Sequence, residues 1–186
     1  LDDFSLISNS DAHSPEKLGR NATIFNTELT YSAIRQALQN QKSGALVGTL
    51  DMYPQEGKYH FDGHRKCNIS FNPVQTMQHE GLCPECGRPL TLGVAHRIAQ
   101  LADRNNPEER PVKKEFRYII PLKEIISEIQ GVGPGSKRVA ALYNKYIQLL
   151  GSERHILLNA PENKLRKAGG ELLAEALMRM RQNQVI

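Results

Sequence analysis

Three cysteines and a histidine in two matched half-sites constrain this 186-residue chain more than any other feature. His64-Arg65-Lys66-Cys67 and Cys83-Pro84-Glu85-Cys86 share a two-residue gap, and fifteen residues separate Cys67 from Cys83. Thiolates at this spacing are strong zinc ligands. The residue after each half-site is Asn68 or Gly87, the two types that most readily take the left-handed backbone of a tight knuckle. The matched gap makes His64 the favoured fourth ligand, with His60 and His79 as alternatives in the same stretch. The segment around them is rich in Gly, Pro and polar residues, and about forty residues of that kind bury too little apolar surface to fold unaided. A zinc ion is the expected staple. With four protein ligands no position is left for water, so its role is structural. Tyr53, Tyr59, Phe61 and Phe71 are expected to form the mini-core beside it, with base stacking as the alternative.

The rest of the chain reads as further small modules. Hydrophobic residues make up 39% of it, no apolar run approaches membrane-spanning length, and the acidic start "LDDFSLISNSDAH" lacks a signal-peptide layout. A soluble, cytoplasmic protein with reduced thiols is expected. "FSLISNSDAH" reads as a strand entering a polar loop, and Ser14-Pro15 as a helix start. Thr30 reads as the cap of a helix carrying Ala33, Ile34, Ala37 and Leu38, with Gly44 beyond its end. "ALVGTLDMY" reads as a strand, and "VAHRIAQLADR" as a short helix with Val94, Ile98 and Leu101 on one face. "NNPEERPVKKE" is a charged, proline-marked linker, and from Pro121 the pattern is helical.

Charge is uneven. Residues 136 to 186 hold nine Lys/Arg against four Asp/Glu, whereas residues 1 to 52 hold four against six. A polyanion partner for the C-terminal end follows. There "EIQGVGPGSKRVAALY" places Gly131, Gly133 and Gly135 in a tight turn between helical segments. It resembles a helix-hairpin-helix, whose turn offers backbone amides at a helix N-terminus to a phosphate. Lys137 and Arg138 stand where they could add charge-assisted contacts. "LGSERHILLNAPENKLRKAGGELLAEALMRMR" resembles the linking helix and second hairpin of a tandem arrangement. Its turn reads Ala168-Gly169-Gly170, in which only Gly170 matches the expected second glycine. The first turn is therefore the expected DNA contact, and a helical protein-docking domain is the alternative.

Asp11 and His13 flank a single residue and could direct two side chains at one metal. "SNSDAHSPEKLGR" resembles the last metal-binding motif of PHP-type phosphoesterases. The order of this motif, "GKYHFDGHRKC", "CPECGRPLTLGVAHRIAQLADR" and "GVGPGSKRVAALY" resembles the endonuclease Q family. That resemblance implies a DNA repair endonuclease nicking on the 5' side of deaminated bases and abasic sites. It also implies catalytic divalent metals held in part by Asp11 and His13, and DNA held through backbone phosphates. The early H-x-H of a PHP site occurs nowhere in the chain, which reads as a C-terminal fragment, inactive alone. The expected fold is an α/β remnant of a PHP domain at residues 1–52, a small zinc-ribbon-like module at 53–106, then a linker and an all-α tandem helix-hairpin-helix domain at 107–186. The competing function is a non-catalytic docking module for DNA or protein.

Overall fold

The computed structural model describes residues 4–57, 59–103 and 115–185. In chain order its elements are β1 (Ala22–Phe25), α1 (Tyr31–Gln39), β2 (Leu46–Met52), β3 (Asp62–His64), β4 (Ile69–Phe71), α2 (Pro73–Gln78) and α3 (Val94–Leu101). β5 (Glu115–Ile119), α4 (Leu122–Gln130), α5 (Lys137–Leu150), α6 (Glu153–Leu158) and α7 (Glu162–Arg181) follow. Among the described residues, no helix is long and apolar enough to cross a membrane.

The sequence reads as three stretches, but by contact the chain makes two compact units, Leu1–Met52 with Val112–Ile186, and Tyr53–Pro111. The reason is β5, which the sequence reading left out. β5 runs parallel to β2, with Gly48 facing Glu115 and Met52 facing Ile119, while β1 pairs antiparallel on the other side of β2. Gly48 is a close-approach position: a Cβ there would collide with the Glu115 carbonyl. The charged linker read at 105–115 lies, apart from Glu115, outside the described residues.

The first unit builds its core from Leu46 and Leu50 of β2, Ile119 of β5, Leu122, Ile125 and Ile126 of α4, Val139 and Tyr146 of α5, Ile156 and Leu157 of α6, and Leu165, Leu173 and Leu177 of α7. Helix starts follow their capping residues. Thr30 Oγ1 accepts from the Ala33 amide (3.2 Å), Ser136 Oγ from Val139 (3.2 Å) and Ser152 Oγ from His155 (3.3 Å). Ser14 and Pro15 open only a single 3-10 turn, Pro15–Lys17. The stretch before it is not a strand. It lies beside β1 through a side chain, the Ser8 amide donating to Thr23 Oγ1 (3.0 Å) and Thr23 Oγ1 donating to the Ser8 carbonyl (2.9 Å). Pairing through a hydroxyl leaves no backbone ladder.

α7 is two helical segments joined at Gly170, whose backbone (φ 82, ψ −175) is not helical. Residues 121 to 181 thus form two helix–turn–helix pairs, α4 with α5 and the two halves of α7, linked by α6. Glu153, first residue of α6, ties this linking helix to both helices of the first pair. Its carboxylate accepts from the Leu122 amide (2.8 Å) and the Tyr143 hydroxyl (2.9 Å). Burial first, and the nearby Glu153 carboxylate second, push the Tyr143 phenol up to about 12.

The second unit has a small core. Its buried hydrophobic residues, among those described, are Cys83 and Leu90, with Asp62 and Thr76 the buried polar ones. The expected aromatic mini-core is absent: Tyr59 is 68% exposed, Phe61 is 39% exposed, and Tyr53 and Phe71 are half-buried. The apolar face expected on α3 faces outward, with Val94, Ile98 and Leu101 exposed.

Arg181 closes the end of α6. Its guanidinium donates to the carbonyls of Ile156, Leu157 and Ala160, each at 2.8 Å, satisfying acceptors that a helix C-terminus leaves open and placing a cation at its negative end. Arg181→Met keeps much of the apolar stem and removes every donor. It should cost about 3 kcal/mol, read as an earlier urea midpoint for the loss of helical circular dichroism.

Candidate metal centre and candidate nucleic-acid interface

The two half-sites are brought together by short backbone pairings. His64 ends β3, residues 65–67 form one 3-10 turn, and Asn68 (φ 53, ψ 37) turns the chain into β4. The second half-site is a tight knuckle in which the Gly87 amide donates to the Cys83 carbonyl and the Cys83 amide to the Arg88 carbonyl, both at 2.8 Å. Gly87 has φ 68, the left-handed turn read from its type. A two-way bridge between Gly63 and Thr91, at 2.9 Å each way, holds hairpin and knuckle side by side. A side chain at Gly63 would collide with the Ile69 carbonyl.

The ligand atoms of His64, Cys67, Cys83 and Cys86 all lie within 4.8 Å of one another, and Cys86 Sγ is 3.3 Å from His64 Nδ1. A tetrahedral ion with sulfur and nitrogen ligands sets them about 3.5 Å apart, so a small inward movement would close the site on a metal. Among the described residues this is the one group of three or more such side chains able to share an ion. Burial and the adjoining Cys86 and Cys83 thiols push Cys67 up to about 11. Burial also opposes charge on Cys83, but the Glu85 and Cys86 amides, with the His64 and Cys86 side chains, bring it down to about 7. Three crowded thiolates repel one another, and a bound cation removes that conflict. The rival histidines are engaged elsewhere: His60 meets Phe61 edge-on (4.5 Å) and His79 stacks on Phe71 (4.9 Å).

Asp62 braces the same hairpin from within. Its carboxylate accepts from the Gly93 amide at 2.6 Å and meets His96 Nδ1 at 2.7 Å, so the start of α3 is pinned to β3. Burial opposes its charge, yet the Gly93 amide and the side-chain partners hold its pKa below the usual value.

Asp11 and His13 are both exposed, in a loop, and Asp11 has a positive φ of 45°. His13 Nδ1 lies 2.8 Å from the Asp11 carbonyl oxygen. A carbonyl only accepts, so Nδ1 donates in this contact.

The turn between α4 and α5 is exposed. Gly131 (φ 61, ψ 31) ends α4, its amide donating to Glu128 (3.1 Å) and that of Val132 to the Ser127 carbonyl (3.2 Å), a Schellman closure. Of the three turn glycines only Gly131 is left-handed; Gly133 and Gly135 are not. A Cβ at either of these two would meet nothing within 4 Å. Among the described residues, their amides have no protein acceptor. Lys137 and Arg138, both exposed, begin α5 beside them, where the first-turn amides of a helix have no intrahelical partner. The second turn is built differently. Gly170 is exposed, but a Cβ on Gly169 would strike Leu173 and come within 2.9 Å of the Tyr146 hydroxyl. Gly169 is a packing position.

Residues 121–184, which contain α4 to α7, match the family model described as the MJ0043 C-terminal domain. The crystal structure of the lesion-specific endonuclease PfuEndoQ from Pyrococcus furiosus superposes with a TM-score of 0.81 and 31% identity over 97% of this chain and 45% of that one. The chain belongs to the endonuclease Q family. A second family structure, endonuclease Q in complex with a 27-mer duplex substrate with an abasic lesion at the active site, gives a TM-score of 0.77 and 31% identity over 97% of this chain and 46% of that one. Two curated proteins whose names assign no function are also similar. MJ0043 of Methanocaldococcus jannaschii is 32% identical over 90% of this chain and 22% of its own length. YqxK of Bacillus subtilis is 25% identical over 100% of this chain and 44% of its own. The chain therefore spans less than half the length of these relatives.

The sequence reading passed over two features of this site. Ser136, the cap of α5, carried a signal in its place before the helix. The Asp62–His96 pair carried none, because its members lie 34 residues apart. If the four clustered residues hold a metal, the purified chain should carry one ion. His64→Ala should lose most of it, while His60→Ala and His79→Ala should retain it. Metal analysis of the three variants after dialysis against a mild chelator checks this.

Proposed function

We propose that this chain is the zinc-stabilised, DNA-gripping part of an endonuclease Q that nicks DNA beside deaminated bases or abasic sites. The observation that carries the reading is the exposed turn at residues 131–138, which offers Gly133 and Gly135 amides that have no acceptor among the described residues, flanked by Lys137 and Arg138. Donors of this kind at a helix start suit a phosphate and read no base sequence. In these terms residues 1–52 are the end of a PHP-type domain, 53–106 the zinc module, and 107–186 the linker with a tandem helix-hairpin-helix. Three thiols and an imidazole suit zinc in a closed, structural site. Gly131 ends the first helix, Gly133 and Gly135 leave room for the phosphate, and Gly170 is the weaker counterpart in the second hairpin. Glu171 follows Gly170 directly and shares Arg166 with Glu162 at 2.7 Å each, so a carboxylate stands where an anion would approach.

Asp11 and His13 are assigned to the catalytic metal site of the whole enzyme, with His13 Nε2 as the ligating atom. Divalent metals held there would supply an activated water and charge neutralisation at the scissile phosphate. A protein-docking role is favoured by one observation, the exposed Val94, Ile98 and Leu101 on α3, and would coexist with DNA binding.

The test is a fluorescence-anisotropy titration of the full chain with duplex DNA at several salt concentrations. Affinity should fall steeply with salt and depend little on sequence. Lys137→Ala and Arg138→Ala should each weaken binding about five-fold and lower the salt slope by about one. Gly133→Val should weaken it about ten-fold without unfolding the chain, because its backbone is not left-handed and its Cβ would enter only the space a phosphate needs. Wild-type affinity in a folded Gly133→Val protein would remove the turn from the interface and leave protein docking as its role.

A further inference from the structure

We propose that Ser127 is a positioning residue that aims the Gly133 amide at the DNA phosphate; this deepens the reading of the 131–138 turn and rests on it. Ser127 lies in the last turn of α4, half-buried, and makes two bonds to one residue. Its carbonyl accepts from the Val132 amide at 3.2 Å, as in any Schellman closure. Its hydroxyl donates to the Val132 carbonyl at 2.6 Å, which the closure does not require.

The second bond sets a direction. In a trans peptide the C=O of one residue and the N–H of the next point opposite ways. Drawing the Val132 carbonyl inward against Ser127 therefore turns the Gly133 N–H outward, where among the described residues it has no protein acceptor. The following peptide is fixed too, since the Ser136 amide returns to the Gly133 carbonyl at 3.0 Å. A clamp is needed here because glycine lets the preceding peptide plane rotate at little steric cost. Without the hydroxyl, the Val132–Gly133 plane can turn, and the amide then points at phosphate for only part of the time. Binding would bear the cost of reordering it.

The experiment uses the full chain with Ser127→Ala, Ser127→Thr, Gly133→Val and Lys137→Ala, each titrated with duplex DNA at several salt concentrations and melted by circular dichroism. Alanine is the better helix former, so Ser127→Ala should stay folded. It should bind about five-fold more weakly with an unchanged salt slope, because no cation is lost. Ser127→Thr keeps the hydroxyl and should bind within about two-fold of wild type. Wild-type binding by Ser127→Ala, alongside weakened Gly133→Val and Lys137→Ala, would overturn the role of Ser127 and leave the turn as the DNA contact. Equal weakness in Ser127→Thr and Ser127→Ala, or a flattened slope in Ser127→Ala, would overturn it as well. Wild-type binding by all four would instead overturn the DNA reading of the turn, and this inference with it.

Discussion

The parallel pairing of β2 with β5 is the contact on which the arrangement of the chain depends. Parallel neighbours cannot be joined by a tight turn and need a crossover of a dozen or more residues. Here the crossover contains the whole of the second unit, from Tyr53 to Pro111. The metal-capable module is thus an insertion between two adjacent strands. Gly48 makes the pairing possible, since any side chain there would meet the Glu115 carbonyl. From β5 the chain runs through buried Ile119 into buried Leu122, so the helices take their position from this strand.

Within the insertion a different physics prevails. Its buried hydrophobic residues among those described are two, and what holds it is directional: the Gly63–Thr91 bridge, the Asp62 carboxylate bonds, and the four-residue cluster. Such a module is legible by spacing, because metal ligands and their left-handed followers are local requirements. His64, Asn68 and Gly87 could all be read from adjacent letters. The aromatic mini-core could not. Composition placed four rings near the cluster, but hydrogen bonds and not ring packing close the hairpin, and Phe71 turns to His79 instead.

The same division between local and distant causes runs through the first unit. α1 with its Thr30 cap, β2 and the helical segments after Pro121 were readable because caps, glycines and apolar spacing announce them. β5 was not: four of its five residues are exposed or half-buried, and only Ile119 is buried, so its identity as a strand comes from β2, more than sixty residues earlier. "FSLISNSDAH" failed in the opposite sense, having strand-like composition but finding a hydroxyl rather than a backbone partner at Thr23.

The two glycine turns show how far a motif carries. Both put glycines between helices, and sequence alone ranked them by how well the letters matched. The structure ranks them by what each Cα faces. In the first, Gly131 ends the helix, which frees Gly133 and Gly135 to stand in open space, their amides without an acceptor among the described residues. In the second, Gly170 ends the helix while Gly169 is consumed by packing beneath Leu173 and Tyr146, and Glu171 stands at the mouth. One turn is built outward and the other inward. The difference follows from Tyr146, a core residue of α5: by filling the space under the second turn, the helix that begins at the exposed first turn commits its counterpart to holding the domain together.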